Sequence, residues 1–277
     1  MSLLAAADAQ IEYVVTGAGD PVTLFAHGLA GSIPETRPFG SGVEGSKAFL
    51  HFRGHGGSSA PATAWTYAAL AAEARTVADH VRATRAVGVS LGAGALLRLA
   101  SEQPDRFDRL VLLLPAAIDR PRGDPAVLRM QQLADLVDRG RIDAVAELLV
   151  TEQPASARGR ADVRVWAKRQ AQRLAGSSVA TALRELPAQA PLTDRAVLER
   201  VRCPVLVVAQ REDAAHPVET AAELAAALPH ARLKVFDEGG VLWTHRRALR
   251  TTIATHLNPP PRQSPKQSLN QSGADGS

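Results

Sequence analysis

Short apolar runs recur along the chain and, after the first fifty residues, alternate with longer stretches of helical spacing. The apolar runs predict β-strands at residues 11–16, 22–26, 48–52, 86–89, 110–114, 205–209 and 233–236. Apolar positions spaced i, i+3, i+4 predict helices at residues 67–82, 91–103 and 217–228. Strands that alternate with helices form a mostly parallel sheet covered on both faces, so the pattern predicts an α/β fold.

The strand signals stop between Ile118 and Pro191, where four amphipathic stretches replace them. Their apolar positions are Val127, Met130, Ala134 and Val137; Ile142, Val145, Ala146 and Leu149; Val163, Trp166 and Ala167; and Val179, Ala182, Leu183 and Leu186. Such an insert could extend the core. We expect instead a lid over the carboxyl ends of the strands, where sheets of this kind bind ligands.

The predicted organisation is one interrupted domain. Its core has two parts, residues 1–117 and 193–258, and residues 118–192 form the helical cap. A chain of 277 residues with 45% apolar content can bury one sizeable core. The tail at 259–277 is rich in Pro, Ser, Gln and Gly and is expected to be disordered because it is too polar to pack.

Charge and cysteine content limit the classes of partner. The net charge is +4, and basic residues are interspersed with acidic ones, so no nucleic-acid partner is expected. Cys203 is the single cysteine, which excludes an internal disulfide and a thiolate metal cluster. The N-terminus lacks a positively charged leader, and no run approaches the ~20 apolar residues of a membrane span. The expected location is the cytoplasm, with no membrane partner.

The pentapeptide Gly88-Val89-Ser90-Leu91-Gly92 fits the pattern G-x-S-x-G between a predicted strand and a predicted helix. A turn this sharp holds the serine in a strained conformation, and the glycines remove Cβ atoms that would clash. The helix that starts at Leu91 offers unpaired N–H groups to developing negative charge. The pattern also occurs in ordinary turns, but this context predicts Ser90 as a nucleophile.

A carboxylate follows a later strand, as a Ser-His-acid system requires. Asp213 comes a few residues after the apolar run 205–209, in a loop that leads into a helix. It could be a helix cap, but we interpret it as the acid that orients a histidine. Glu212 and Asp119 are the other candidate acids.

Together these features resemble the α/β-hydrolase superfamily, in particular small capped members such as bacterial enol-lactonases, carbon–carbon bond hydrolases and simple esterases. Four segments carry the resemblance, which covers about residues 11–258: His27-Gly28-Leu29-Ala30-Gly31-Ser32, Phe52-Arg53-Gly54-His55-Gly56-Gly57-Ser58, the Ser90 turn and the Asp213 loop. The resemblance implies an eight-stranded, mostly parallel sheet, a Ser-His-Asp triad and no cofactor. It also implies that the N–H groups of Leu29 and Leu91 form an oxyanion hole.

The histidine departs from the family pattern. Relatives usually carry Gly-His after the last strand, whereas here Gly240 is followed by Val241. His245 comes four residues later, on a helical stripe with Leu249, and is predicted as the base; it could instead be a core histidine. His216, three residues after Asp213, is the alternative base, although capping or packing is its expected role.

The resulting prediction is a serine hydrolase that cleaves a small carboxylic ester or lactone through an acyl-enzyme. Ser90, Asp213 and His245 are its predicted catalytic residues, no metal site is expected, and the partner is a small-molecule carbonyl substrate. Two alternatives stay open. The same fold supports carbon–carbon hydrolysis or cofactor-free perhydrolysis, and a displaced histidine is also compatible with an inactive or ligand-binding homologue. The sequence leaves the oligomeric state open.

Overall fold

The computed structural model describes residues 1–237 and 240–258, which contain an eight-stranded sheet. The strands are β1 (Ser2–Ala6), β2 (Ala9–Thr16), β3 (Val22–Ala26), β4 (Lys47–Leu50), β5 (Ala83–Val89), β6 (Arg109–Leu113), β7 (Val205–Gln210) and β8 (Ala231–Phe236). Their order is β1-β2-β4-β3-β5-β6-β7-β8. The pairs β1·β2 and β2·β4 are antiparallel and every later pair is parallel, so the carboxyl ends of β3 to β8 meet at one edge.

Helices follow most of the parallel strands. They are α1 (Ile33–Thr36), α2 (Tyr67–His80), α3 (Leu91–Glu102), α4 (Asp124–Asp138), α5 (Ile142–Thr151), α6 (Ala161–Leu174), α7 (Val179–Glu185), α8 (Val218–Ala227) and α9 (Arg246–Leu257). Helices α4 to α7 all lie between β6 and β7, where the sequence predicts a helical insert. No helix in the described part of the chain is long and apolar enough to cross a membrane.

Two hydrophobic layers cover the sheet because successive strand residues point to opposite faces. In β3, Leu24 packs into the layer that contains α2, α3 and α8, whereas Phe25 packs into the layer that contains α1 and α9. Both side chains are fully buried. The alternation holds the sheet between two helical layers and leaves its carboxyl edge free for loops.

The fold prediction is confirmed: the chain has the mostly parallel eight-stranded sheet and the flanking helices that the resemblance implies. β1 is an addition, because no strand was predicted before residue 11. The last helix begins at Arg246, since Gly240–Thr244 forms a π-helical turn. The predicted tail at 259–277 lies outside the described residues.

Candidate active site

Ser90 lies in a sharp turn between β5 and α3. Its backbone has φ +48° and ψ −104°, a positive-φ conformation that is costly for a residue with a side chain. The Ser90 N–H donates to the carbonyl of Leu113 in β6 at 2.9 Å, and its own carbonyl accepts from the Gly94 N–H in α3 at 3.0 Å. Strand and helix thus hold both sides of the turn.

The flanking glycines are required by close contact. A Cβ added at Gly88 would lie 2.5 Å from the carbonyl oxygen of Gly92, and one added at Gly92 would collide with the carbonyl of Ala26. Because carbonyl oxygens of the backbone cannot move aside cheaply, the turn accepts only glycine at both positions. This is the strand-turn-helix context that the sequence motif predicts.

The side chain of Ser90 contacts His216. The distance from Ser90 Oγ to His216 Nε2 is 2.9 Å, and His216 Nδ1 is 2.9 Å from Asp213 Oδ2. An ionised carboxylate only accepts, so Nδ1 carries the proton and Nε2 is free to accept from the serine hydroxyl. Serine, histidine and aspartate therefore form a continuous hydrogen-bonded chain with the polarity of a catalytic triad.

Asp213 is held as a carboxylate by the groups around it. Its side chain is 4% exposed. Burial by itself would raise the pKa of Asp213, but the interaction with His216, with further hydrogen bonds from Gln210 and the Ala215 N–H, outweighs burial and leaves this pKa below its usual value. The acid is therefore ionised at neutral pH and can stabilise an imidazolium on His216.

The same carboxylate shapes the loop that carries the histidine. Asp213 Oδ1 accepts from the backbone N–H groups of Ala215 and His216, each at 3.0 Å, while Oδ2 receives the ring of His216. Aspartate commonly makes such local turns. Here the turn directs the His216 ring back over Asp213 and towards Ser90.

These contacts correct the prediction that His245 partners Ser90. His245 lies at the start of α9, where its ring packs against Phe236 with a centroid distance of 5.3 Å. The chain order of the family favoured a histidine after β8, and the π-helical turn at Gly240–Thr244 leads His245 to Phe236 instead. The spacing Asp213-x-x-His216 was the available signal, since a local turn over three residues can bring the two side chains together.

Gln210, at the end of β7, lies next to Val241 in the loop after β8. Its Nε2 donates to Asp213 Oδ2 at 2.6 Å, and its Oε1 accepts from the Val241 N–H at 2.7 Å. Gln210 and Val241 are both buried. A glutamine at the end of β7 therefore links the loop after β8 to the Asp213 carboxylate, and sequence reasoning did not single it out.

The other predicted acids lie elsewhere. Asp119 forms a bidentate ion pair with Arg195, at 2.8 and 2.6 Å, and its hydrogen bond to Arg195 lowers the pKa of this carboxyl. Glu212 is exposed and adopts φ +60°. Neither carboxylate is hydrogen-bonded to His216.

The loop after β3 lies beside Ser90. A Cβ added at Gly28 would be 3.6 Å from Ser90 Cβ, so the backbone of this loop borders the nucleophile. The Gly31 N–H donates to Gly28 O at 2.8 Å, and the Ala30 N–H donates to His55 Nε2 at 3.0 Å. Leu29 is thus in a fixed turn close to Ser90, while Leu91 is the first residue of α3, where N–H groups have no acceptor within the helix.

Three buried histidines hold this loop. His27 Nε2 accepts from the Phe52 N–H, His51 Nε2 from the Ile33 N–H, and His55 Nε2 from the Ala30 N–H. Because each Nε2 accepts, each ring is neutral with its proton on Nδ1. Burial, the largest influence in all three, lowers the pKa of His27 well below its usual value, lowers that of His51, and lowers that of His55 to about 4.

Helices α4 to α7 pack on the same loop. Leu29 and Ala30 contact the hydrophobic cluster of these helices, and Gln170 in α6 donates to the carbonyl of Ala30. Trp166 Nε1 donates to Glu35 at 2.8 Å, and Trp243 Nε1 donates to Gln153 at 2.8 Å. The inserted helices are therefore tied to the carboxyl edge of the sheet, next to Ser90.

The fold and this arrangement agree with the comparison to known families. The family described as "alpha/beta hydrolase fold" matches residues 21–242, most of the chain. The protein belongs to the α/β-hydrolase family, which confirms the resemblance carried by its sequence motifs.

Individual relatives are more distant. A curated protein from Synechocystis named "putative non-heme chloroperoxidase" is 27% identical over 258 residues, which cover 85% of this chain and 90% of that protein. The enol-lactonase from Burkholderia xenovorans has a similar structure, with a TM-score of 0.78 at 20% identity over 93% of this chain and 100% of its own. An esterase from Exiguobacterium antarcticum gives a TM-score of 0.75 at 19% identity over 93% and 99% of the two chains.

Proposed function

We propose that this protein is a serine hydrolase that cleaves a small carboxylic ester or lactone, with Ser90 as nucleophile, His216 as general base and Asp213 as the orienting acid. The observation that carries the proposal is the pair of 2.9 Å contacts that joins Ser90 Oγ to His216 and His216 to Asp213. An enol-lactonase and an esterase among the similar structures agree with this reaction class.

The chemistry follows from the polarity of the hydrogen bonds. His216 Nε2 takes the hydroxyl proton as Ser90 Oγ attacks the substrate carbonyl, and Asp213 stabilises the imidazolium. The tetrahedral oxyanion is placed against the N–H groups of Leu29 and Leu91. When the intermediate collapses, His216 gives its proton to the leaving alkoxide and the acyl-enzyme forms. Water, deprotonated by His216, then attacks the acyl-enzyme and releases the acid.

The inserted helices, residues 118–192, are proposed to act as the cap that covers the substrate. Their contacts to Leu29 and Ala30 support this role, because those residues belong to the loop that carries one oxyanion donor. A cap excludes water and strengthens polar interactions with the developing oxyanion. Substrate identity would then depend on cap side chains, whereas the triad sets the reaction class.

An inactive or ligand-binding homologue was the alternative suggested by the histidine's absence after β8. The His216 contact argues against that alternative, because a histidine from a different loop lies within hydrogen-bond distance of Ser90. Hydrolysis of short-chain p-nitrophenyl esters tests the proposal. Ser90→Ala should lower kcat by at least about 10³-fold while the thermal unfolding temperature stays similar. Full activity in Ser90→Ala would exclude the serine as nucleophile, and an inactive wild-type protein would exclude ester hydrolysis.

A further inference from the structure

A cavity of about 420 Å³ lies on the flank of the triad loop. Its walls are the segment 116–123, which follows β6, and residues Ala214, Ala215 and Pro217 on either side of His216. Ligand pockets in proteins commonly start at about 300 Å³, so the cavity has room for part of a small substrate. Ser90, Asp213 and His216 do not line this cavity.

Four arginines line this cavity: Arg129 and Arg195 are neutralised by ion pairs, Arg120 is exposed, and Arg122 is half-buried. Arg195 is paired with Asp119 at 2.6 Å and with Glu223 at 2.8 Å, and Arg129 is paired with Glu152 at 3.1 Å. Asp119 and Glu223 therefore neutralise Arg195, and Glu152 neutralises Arg129. Neither arginine is available to a ligand without breaking an existing ion pair.

Arg122 differs from these neighbours. Its guanidinium donates to the backbone carbonyl of Ala215, and no carboxylate among residues 1–237 and 240–258 forms an ion pair with it. A guanidinium has five N–H donors in a planar fork, so most of its hydrogen-bonding capacity is left for a partner. Burial lowers the pKa of Arg122 against the opposing influence of Tyr67, Asp213 and Glu152, which marks a desolvated cation.

A half-buried cation with open donors favours an anion that can bind it through two oxygens. The carbonyl that fixes Arg122 belongs to Ala215, the residue before His216, so a bound anion would lie beside the loop that carries the triad histidine. We infer that Arg122 forms a carboxylate-binding subsite of the active site, and that the protein acts on esters or lactones that carry a free carboxylate. The inference rests on the hydrolase function proposed above and adds the substrate class.

A purely structural role makes a different prediction. Arg122 could simply clamp Ala215 and offset the charge of Asp213, and its loss would then reduce activity equally for every substrate. A carboxylate subsite instead requires the loss to depend on the charge of the substrate. The discriminating quantity is the ratio of kcat/KM for two esters that differ in one carboxylate.

The matched substrates are the mono-4-nitrophenyl ester of adipic acid and its methyl-capped counterpart, 4-nitrophenyl methyl adipate. The wild-type protein should hydrolyse the acid with kcat/KM about tenfold or more above the neutral diester, the range of one charge-assisted bidentate contact. Arg122→Gln should bring that ratio close to one, because kcat/KM for the acid should fall further than kcat/KM for the neutral diester. Arg122→Lys should retain part of the preference. Arg139→Gln, which removes a charge from the exposed end of α4, should leave the ratio unchanged.

The outcomes separate the two claims. The subsite is overturned if the wild-type protein does not favour the acid, or if Arg122→Gln lowers kcat/KM equally for both substrates. Hydrolysis that depends on Ser90 would still support the proposed function in either case. The subsite would also be overturned if Arg139→Gln lost the preference for the acid as fully as Arg122→Gln, because the preference would then reflect the net charge of the protein. Hydrolysis that persists in Ser90→Ala would instead refute the proposed function. The wild-type ratio needs no variant, so the test survives if Arg122→Gln does not fold.

Discussion

The Nδ1 of His216 and the Oδ2 of Asp213 are 2.9 Å apart although only two residues separate them in the chain. The proposed base and its orienting acid are therefore carried by one loop, at the end of β7. Their mutual geometry depends on the local turn in which Asp213 accepts from the N–H groups of Ala215 and His216. The loop after β8 contributes no residue to this pair; its Val241 N–H holds Gln210, which in turn donates to Asp213.

Gln210 is expected to position the triad without contacting the substrate. Gln210→Leu keeps the approximate size of the side chain but removes the hydrogen bond to Asp213 and leaves the Val241 N–H without its acceptor. Loss of an orienting partner of this kind typically costs about tenfold or more in activity. We expect kcat for a p-nitrophenyl ester to fall by about that factor with little change in KM, measured by steady-state kinetics across pH 6 to 9.

A general destabilisation would give a different result for Gln210→Leu. It would lower the amount of active protein and leave the shape of the pH profile as in wild type. A displaced Asp213 would instead shift the acidic limb of the profile, because the carboxylate would stabilise the imidazolium less well. An unchanged kcat per labelled active site would show that Gln210 does not position the triad.

The Ser90 turn is expected to tolerate no side chain at Gly88. A Cβ there would lie 2.5 Å from Gly92 O and 2.7 Å from Ala93 N, and both are backbone atoms. Gly88→Ala should therefore lower the free energy of unfolding by about 1–3 kcal/mol or more, because the added Cβ overpacks against backbone atoms, and should abolish labelling of Ser90. Urea unfolding and reaction with a fluorophosphonate measure the two effects.

Gly159→Ala is the matched control, because no atom lies within 4 Å of a Cβ added at that position. It should unfold within about 0.5 kcal/mol of wild type and label normally. Normal labelling in Gly88→Ala would mean that the turn is not held as the structure describes.

The three histidines around the Gly28 loop predict a loss of stability in mild acid. Each is neutral in the folded protein and has a depressed pKa, whereas in the unfolded chain it titrates near 6.5. The unfolded state therefore binds more protons below pH 6.5, so the free energy of unfolding decreases as pH falls from about 6.5 towards 4. For His55 alone, with a pKa of about 4, the decrease between pH 6.5 and pH 5 is about 1–2 kcal/mol.

Urea unfolding at pH 7.5, 6.5 and 5 measures this slope. His55→Gln removes one titrating ring, so its stability should be lower at pH 7.5 but fall less steeply towards pH 5. Glu12, whose pKa is lowered, contributes its own loss only below the usual carboxyl range. Equal slopes in wild type and His55→Gln would contradict the assignment of His55 as a neutral buried acceptor.

Arg53 is expected to contribute to the stability of the fold. Its side chain is 1% exposed, and it pairs with Glu73, which is fully buried, and with Asp8 at 2.9 Å. Arg53→Met leaves the Glu73 carboxylate buried without its cation, which typically costs about 3–5 kcal/mol. The free energy of unfolding in urea is the measurement.

Arg184 provides the comparison for Arg53. It bridges Asp135 and Asp138, but the arginine is 38% exposed and both carboxylates are 54% exposed. Exposed pairs contribute about 0–1 kcal/mol, so Arg184→Met should have a small effect. If both variants lose the same stability, burial of the Arg53–Glu73 pair would not be the reason.

The sequence predicts the central strands and helices because their patterns are regular. β3, β6 and β7 are largely apolar and buried on both faces, and α2 and α8 match their predicted spans within two residues. β1 was missed: its residues Ser2–Ala6 are largely exposed at the sheet edge, so burial leaves little pattern there. Pairing with β2 determines that strand more than its own composition does.

The sequence predicts part of the candidate site because some of its residues belong to local patterns. Ser90 follows from a local motif whose glycines are dictated by steric contact, and Asp213 from its place after β7. His216 requires knowledge of how four loop residues turn, and that turn is stabilised by side-chain hydrogen bonds to Asp213 that no periodic pattern records. His245 satisfied the chain order of the family, but the π-helical turn at Gly240–Thr244 changed its position.

The most direct test of the account compares two histidines as alternative bases. Wild type, His216→Ala and His245→Ala are treated with a fluorophosphonate and assayed with a short p-nitrophenyl ester, with circular dichroism to confirm folding. We expect His216→Ala to lose labelling and to lower kcat by at least about 10³-fold, while His245→Ala labels and turns over within a few-fold of wild type. Retained labelling and turnover in His216→Ala, together with loss in His245→Ala, would contradict the assignment of His216 as the base.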